Sequence, residues 1–222
     1  MLADRFAVVD ARKVAQVTAL LGELVPLCAG SAREHVLVDV ACGKSYVLHA
    51  LHALARPRAR YFGVDRSPAL VEQCRAAAQR LGMPAQFCAG AIAEAPLPER
   101  PDVLIALHAC GGASDQAVER AIALRARHLL LVPCCHERPS RAAARALGLP
   151  AQGLLRGRLS DALTDTRRAL RLEAAGYEVV ALELVPAAVT PQNLLLRARF
   201  VGATTRAERA RSALDRLRAP AA

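Results

Sequence analysis

Two short segments of the sequence combine histidine with cysteine, the side chains suited to proton transfer and nucleophilic attack near neutral pH. The segment HACGG contains His108 and Cys110, and the segment PCCH contains Cys134, Cys135 and His136. Either imidazole could act as a general base. Either could instead only tie loop backbone together, and buried thiols are commonly inert small side chains. Both segments are therefore candidate sites of chemistry.

The same five side chains could bind a metal ion if the two segments converge. However, adjacent cysteines do not easily bind one tetrahedral ion, and the CxxC spacing typical of zinc sites is missing. We therefore expect no metal site. The seven cysteines are odd in number, and several fall within predicted strands or helices, so we expect no disulfide framework either.

A third stretch, VDVACGKS at residues 38–45, joins an apolar run to a helical pattern. Gly43 lets the backbone turn tightly there, and the free N–H groups at the start of the following helix attract an anionic group. Asp65 ends the next apolar run, where its carboxylate can accept hydrogen bonds from both hydroxyls of a ribose. Together these features predict an adenosine-containing ligand.

The glycine spacing of this stretch narrows the choice of ligand. A dinucleotide site needs the pattern GxGxxG, whereas ACGKSY supplies one glycine. A phosphate-binding P-loop needs a further glycine at a fixed distance before GKS, and the sequence lacks it. A nicotinamide-dependent oxidoreductase on a similar sheet is therefore the weaker alternative.

Hydrophobic periodicity places these segments on the elements of one sheet. It predicts strands at 36–41, 60–65, 85–90, 102–108, 128–133, 177–185 and 193–201. It predicts helices at 47–55, 114–125, 140–147 and 160–176, the last with Ser160 as its cap and Gly176 as its stop. A further helix is predicted to begin at a Ser67 cap and to bury a stripe that includes Leu81. The alternation indicates a doubly wound α/β fold, in which ligands bind beyond the carboxyl ends of the strands.

The length and charge of the chain limit its organisation and its partners. With 222 residues we expect a single domain over 1–204, with a helical extension over about 1–34 and a basic helix or tail over 205–222. The start of the sequence has no pattern of a secretory signal and no segment that spans a bilayer comfortably, so we expect a cytoplasmic protein and no membrane partner.

The net charge is +10, and all but two of the 30 basic residues are arginine. Neutralisation of nucleic-acid phosphates would explain this charge. An arginine and alanine bias of a GC-rich genome would explain it as well. Only 3% of the residues are aromatic, which argues against recognition of nucleic acid by successive base stacking.

The stretch VDVACGKS resembles motif I of class I S-adenosylmethionine-dependent methyltransferases. FGVDRSP and CAGAIAE resemble the second and third motifs of that family. HACGG, VPCCH and the late segment that ends in TPQN are similar to one branch, which includes the catalytic domain of eukaryotic tRNA 2′-O-methyltransferases and related bacterial proteins. The resemblance covers roughly 13–201 and implies a Rossmann-like, mostly parallel sheet of seven strands, the last antiparallel, with helices on both faces.

The resemblance also implies roles for individual residues. Asp39 would contact the amino end of the cofactor's methionine part, the loop around Gly43 its carboxylate, and Asp65 the ribose. The implied cofactor-binding set is Asp39, Ala41, Cys42, Gly43, Lys44, Asp65, Arg66, Ala91, Ile92 and His108. The implied catalytic set, on the loops that face the reactive methyl group, is His108, Cys110, Cys135 and His136.

One departure from the family pattern concerns motif I, where Ala41 and Ser45 replace the usual glycines. We expect the methyl group of Ala41 to be tolerated if its φ is negative, and cofactor affinity to be poor if φ is positive.

The implied function is transfer of a methyl group from S-adenosylmethionine to an acceptor, with RNA favoured. A protein or small-molecule acceptor is an alternative, and so is a non-catalytic relative that binds the cofactor. The Pro-Cys pair of VPCCH also occurs in RNA cytosine-C5 methyltransferases, where a thiol attacks the base, so Cys134 or Cys135 is an alternative nucleophile.

Overall fold

The computed structural model describes residues 2–29, 33–107, 109–133, 136, 148 and 152–218. These residues contain one seven-stranded sheet with the order β3-β2-β1-β4-β5-β7-β6. The strands are β1 His35–Val40, β2 Ala59–Asp65, β3 Ala85–Ala89, β4 Val103–Leu107, β5 His128–Val132, β6 Tyr177–Glu183 and β7 Leu194–Phe200. The pairs from β3 to β5 are parallel, and β7 is antiparallel to both β5 and β6. The predicted fold class is confirmed.

Helices lie on both faces of this sheet. They are α1 Leu2–Cys28, α2 Tyr46–Ala55, α3 Pro68–Arg80, α4 Gly112–Ala123, α5 Gly153–Ala174 and α6 Thr205–Arg218. Apolar residues of α1, α2 and α3 share one buried cluster, and those of α4 and α5 share the other. In the part of the chain described here, no helix is both long and apolar enough to cross a membrane.

The strand order reverses direction between β1 and β4. Strands β2 and β3 follow on one side of β1, whereas β4 and β5 follow on the other. The connections after β1 and β4 therefore leave toward opposite faces, which opens a crevice at the carboxyl ends of these two strands. The stretch around Gly43 and the HACGG segment both begin at this crevice.

Helix α3 begins as predicted, whereas α5 does not. Ser67 caps α3 by accepting a hydrogen bond from the Leu70 N–H at 3.4 Å, with Pro68 in the first turn. We expected Ser160 to cap α5, but this prediction is wrong because the helix begins at Gly153 and contains Ser160. The first turns of α5 expose their leucines, so they lack the amphipathic stripe that marks a packed helix.

Two smaller predictions also differ from the structure or fall outside it. Leu81 was expected on the buried stripe of α3, but it follows the last helical residue as the C-cap and is 42% exposed. The predicted helix at 140–147 lies outside the described residues.

Candidate active site

The loop between β1 and α2 contains three residues in the left-handed region. Ala41 has φ 52°, Gly43 φ 54° and Ser45 φ 50°. Glycine adopts this conformation without steric cost, whereas other L-residues lose about 1 to 2 kcal/mol. The condition that we set for a well-tolerated Ala41, a negative φ, is therefore not met, and the loop is strained at two positions.

Hydrogen bonds from the neighbouring strand hold this loop in its strained conformation. The Cys42 N–H donates to the Val64 oxygen at 2.9 Å, and the Gly43 N–H donates to Asp65 Oδ2 at 2.8 Å. The Ser45 N–H donates back to the Cys42 oxygen at 2.6 Å. Strain of this kind persists where the surroundings determine the backbone, and it is found preferentially at functional sites.

Asp39 lies beneath the loop with 3% of its surface exposed. Ser45 Oγ donates to its Oδ2 at 3.0 Å, and among the described residues this is the one hydrogen bond to its carboxyl group. Burial raises the pKa of Asp39 to about 7, although the hydrogen bond from Ser45 acts in the opposite direction. A carboxyl group with unused acceptor capacity in a buried place favours a cationic partner.

Asp65 connects the loop after β1 to the loop after β2. Besides accepting from Gly43, its carboxylate accepts a hydrogen bond from the Ser67 N–H at 2.9 Å. A carboxylate has about four acceptor positions, so two remain for further donors such as ribose hydroxyls.

A cavity of about 360 Å³ opens above this loop, at the carboxyl ends of β1 and β4. Its lining includes five of the cofactor-binding residues that the resemblance implied, namely Asp39, Ala41, Cys42, Gly43 and Lys44. Four others lie outside the lining: Asp65, Arg66, Ala91 and Ile92. Of these, Asp65 is bonded to Gly43, Arg66 is exposed, and Ile92 is buried in the core. His108 lies outside the described residues.

The rest of the cavity lining was not identified from the sequence. It consists of Lys13, Val17, Tyr46, Val47, Leu70 and Leu107. The first two belong to α1, and Lys13 Nζ lies 5.5 Å from the ring centroid of Tyr46, within the range of a cation–π contact. No local pattern predicts this wall, because it depends on where a distant helix crosses α2.

The Cys42 side chain lies on the inner side of the same loop. Cys74 Sγ donates to the Gly43 oxygen at 3.2 Å. A hydrogen bond with Cys74 and burial together raise the pKa of the Cys42 thiol. Cys42 therefore remains protonated, so it contributes packing to this site and no nucleophile.

The structure describes two members of the catalytic set. Cys110 is exposed in the loop after β4, whereas the His136 side chain, in the loop after β5, is only 3% exposed. His136 Nε2 lies 2.8 Å from Asp165 Oδ2, and Nδ1 lies 3.7 Å from Asp161 Oδ1. Both ring nitrogens therefore face carboxylates of α5. His108, Cys134 and Cys135 lie outside the described residues, and those described include no group of three side chains arranged to hold a metal ion.

Several solved structures share this fold. The chain is 17% identical to the [4+2]-cyclase SpnF, covering 83% of this chain and 82% of that one with a TM-score of 0.52. It is 12% identical to a dimethyladenosine transferase from Plasmodium falciparum, covering 81% and 60% with a TM-score of 0.52. It is 17% identical to the Pyrococcus abyssi tRNA (uracil-54, C5)-methyltransferase in complex with S-adenosyl-L-homocysteine, covering 84% of this chain and 38% of that one with a TM-score of 0.48. The chain thus spans well under half of that last protein. No curated protein matches the sequence.

A loop above a buried acid, at the switch point of this seven-stranded sheet, lies where doubly wound folds bind their ligands. The family model described as a methyltransferase domain matches residues 11–141, more than half of the chain. The chain belongs to this family, and the class of enzyme predicted from the sequence is confirmed. S-adenosylmethionine is the methyl donor of this class.

Proposed function

We propose that this protein transfers the methyl group of S-adenosylmethionine to RNA, within the branch of tRNA 2′-O-methyltransferases and related bacterial proteins that HACGG and VPCCH resemble. The observation that supports the proposed cofactor site is the cavity of about 360 Å³. Its wall contains the Asp39 carboxyl group, which has one hydrogen bond among the described residues. The net charge of +10 supports a polyanionic acceptor. A protein or small molecule is the alternative acceptor, and the cytoplasmic location stays a prediction.

Asp39 is proposed to bind the ammonium group of the cofactor's methionine part. A cation at this place would lower the pKa of Asp39 and stabilise its charged form, so the carboxylate would make a charge-assisted hydrogen bond. The amides of Cys42, Gly43 and Ser45 already donate within the protein. Recognition of the methionine carboxylate is therefore proposed for Lys44, for Lys13 and for the first amides of α2.

On the adenosine side, Asp65 is proposed to accept the ribose hydroxyls with its remaining lone pairs, while Arg66, Ala91 and Ile92 border the adenosine. Because Asp65 also accepts from Gly43, ribose binding and loop geometry depend on the same carboxylate. A change at Asp65 is therefore expected to affect the binding of both the adenosine part and the methionine part of the cofactor.

When bound, S-adenosylmethionine supplies a sulfonium methyl group that a nucleophile displaces in line. The chain's own part is to align the acceptor and to remove its proton where the acceptor atom carries one. His108 is the proposed proton acceptor, with Cys110 beside it on the same loop. Cys135, or its neighbour Cys134, is the alternative residue if the acceptor is a base carbon that needs a thiol adduct.

Calorimetry with S-adenosylhomocysteine tests the cofactor site. Because the φ of Ala41 is positive, we expect weakened binding, between micromolar and millimolar concentration, and failure to bind at millimolar concentration would overturn the proposal. Incubation with radiolabelled S-adenosylmethionine and fractionated cell extract then tests the acceptor. We expect label in the RNA fraction, and label in protein or small molecules alone would replace RNA by that class.

A second candidate function is a non-catalytic protein that binds the cofactor. The positive φ of Ala41 and Ser45, where the family pattern has glycine, is the observation that favours it. Tight binding of S-adenosylhomocysteine without any labelled product in the same extract fractions would support this alternative over the enzyme.

A further inference from the structure

Arg168 of α5 is a long cationic side chain with only 2% of its side-chain surface exposed. Its guanidinium donates through Nε and Nη2 to the two oxygens of Asp115 on α4, at 3.2 and 3.0 Å. Nη1 donates to Asp165 Oδ1 at 3.0 Å, and Nη2 also lies 3.3 Å from the Gly111 oxygen. All three nitrogens are thus engaged, as the burial of a guanidinium requires.

Asp165 extends this group of contacts to the next loop. While Oδ1 accepts from Arg168, Oδ2 lies 2.8 Å from His136 Nε2. A continuous path therefore runs from the Gly111 carbonyl through Arg168 and Asp165 to the ring of His136. Sequence patterns did not identify it, because its central members belong to a helix far along the chain from both loops.

The two ends of this path are the two loops assigned to the acceptor side. Gly111 follows Cys110 in HACGG, and His136 follows Cys135 in VPCCH. A buried ionic group stabilises a fold no better than well-packed apolar residues do. Its effect on the geometry of its neighbours is therefore more informative than its effect on stability. Here the effect on geometry is a defined separation between Gly111 and His136.

We infer that Asp165 and Arg168 are positioning residues that hold Gly111, in the loop after β4, at a fixed place relative to His136, and that His136 is their anchor and not the proton acceptor. This inference rests on the proposed function for the meaning of the two loops. It reassigns His136 because its Nε2 is engaged by Asp165 and its side chain is almost fully buried, so that Nδ1, which lies 3.7 Å from Asp161 Oδ1 and makes no hydrogen bond to a described residue, is closed off from a methyl acceptor. Of the two candidate histidines, His108 and His136, only His108 is then left for proton transfer.

The first test does not depend on activity. Asp165→Ala should speed amide hydrogen exchange in a peptide covering 109–118 by roughly tenfold, although the change lies on α5. Arg171→Gln is the matched control, since Arg171 also contacts Asp115, at 3.6 Å, but reaches neither loop. Unchanged exchange at 109–118 in Asp165→Ala, or equal acceleration in the control, would overturn the inference.

The second test distinguishes a positioning residue from a base. It measures kcat for methyl transfer to the extract fraction that accepts the label. Arg168→Lys and Asp165→Asn should lower kcat about 100-fold, the loss expected for a small misplacement of reacting groups, with the affinity for S-adenosylhomocysteine changed less than about twofold. If Arg168→Lys does not fold, Asp165→Asn decides the result alone. Wild-type kcat in Asp165→Asn would contradict the inference.

His136→Gln provides the rescue experiment, because its amide can still donate to Asp165. We expect His136→Gln to retain kcat within about fivefold and to keep the wild-type pH profile, whereas His136→Ala loses kcat like Asp165→Asn. A loss of the pH dependence in His136→Gln would make His136 a base and overturn the reassignment. If wild-type protein labels nothing while binding S-adenosylhomocysteine, the proposed transfer fails, and hydrogen exchange still decides the link between the loops.

Discussion

Two buried carboxyl groups at opposite ends of the sheet have opposite surroundings. Asp39, near the carboxyl end of β1, has one donor among the residues described, Ser45. Asp102, just before the amino end of β4, accepts hydrogen bonds from both terminal nitrogens of Arg33 and from the Val36 N–H at 2.9 Å. The exposed fractions of the two residues are similar, 3% and 8%, but Asp102 lies nearer the surface beside the half-exposed Arg33, so its depth as well as its partners differ from those of Asp39.

The pKa values of the two groups follow this difference. Burial raises the pKa of Asp39 to about 7. Burial acts in the same direction at Asp102, but the hydrogen bonds from Arg33 and Val36 outweigh it and lower the pKa of Asp102 below its ordinary value. A satisfied carboxylate at the amino end stabilises the fold, whereas the unsatisfied one at the carboxyl end is the one that we propose to bind the cofactor. The comparison thus contrasts a structural acid with a proposed binding acid.

The largest expected effect is on cofactor affinity. Asp39→Asn should weaken binding of S-adenosylhomocysteine by about 2 to 3 kcal/mol, roughly 30- to 150-fold, because a charged hydrogen bond to the ammonium group is lost. Asp102→Asn is the matched control and should bind within about twofold of wild type at a temperature where it remains folded. Calorimetry on both variants is the measurement, and equal losses would remove the distinction between the two acids.

The next effect is on stability and belongs to the other acid. Asp102→Asn should lower the free energy of unfolding at pH 7 by about 2 kcal/mol, because the Arg33 and Val36 donors lose their charged acceptor. The folded-state pKa of Asp102 is lowered, so the stability that it contributes is present above pH 4 and disappears as the pH falls through its folded value. Urea unfolding at pH 7 and pH 3 should therefore show a difference from wild type that shrinks at the lower pH. A difference that persists undiminished at pH 3 would contradict this assignment.

Asp39 should produce the opposite pH dependence in the absence of cofactor. Its folded-state pKa is raised to about 7, so folding takes up a proton between pH 4 and 7, and the stability of wild type falls as the pH rises through this window. We expect Asp39→Asn to flatten the decrease by on the order of 2 kcal/mol between pH 5 and pH 8, as measured by urea unfolding. Identical slopes for wild type and Asp39→Asn would show that Asp39 is ionised in the folded state throughout.

The smallest effect concerns the strained backbone next to Asp39. Ala41→Gly should raise the stability by about 0.5 to 1 kcal/mol, because relief of a positive φ outweighs the greater freedom of glycine in the unfolded chain. Ala93→Gly is the control: Ala93 is exposed and is not among the residues with positive φ, so this change should lower the stability slightly. Thermal unfolding of both variants checks the sign, and a decrease in Ala41→Gly would show that the loop is not strained at this position.

Local patterns predicted most of the sheet, because each strand is a short apolar run between turns and each helix up to α4 has a buried stripe. The start of α5 could not be predicted, since exposed leucines and two glycines, Gly153 and Gly157, hide its first turns. The division into a domain, an N-terminal extension and a basic tail stays a prediction.

The candidate site was predictable only where it lies within one motif. Asp39 near the end of β1 and the four residues at 41–44 before α2 line the cavity, whereas Lys13 and Leu70 reach it from other helices. The positive φ of Ala41 was likewise hidden, because an alanine in the sequence does not reveal the backbone conformation that its neighbours impose. The link through Arg168 required three-dimensional contacts between elements separated along the chain.

The contribution of α1 to the cavity wall has a practical consequence for biochemistry. A version of the protein trimmed to begin at β1 would retain all seven strands, yet it would lack Lys13 and Val17 and leave the proposed cofactor pocket open to water on that side. Weak binding by such a trimmed protein would therefore report the missing helix, and ligand screens need the full N-terminal segment.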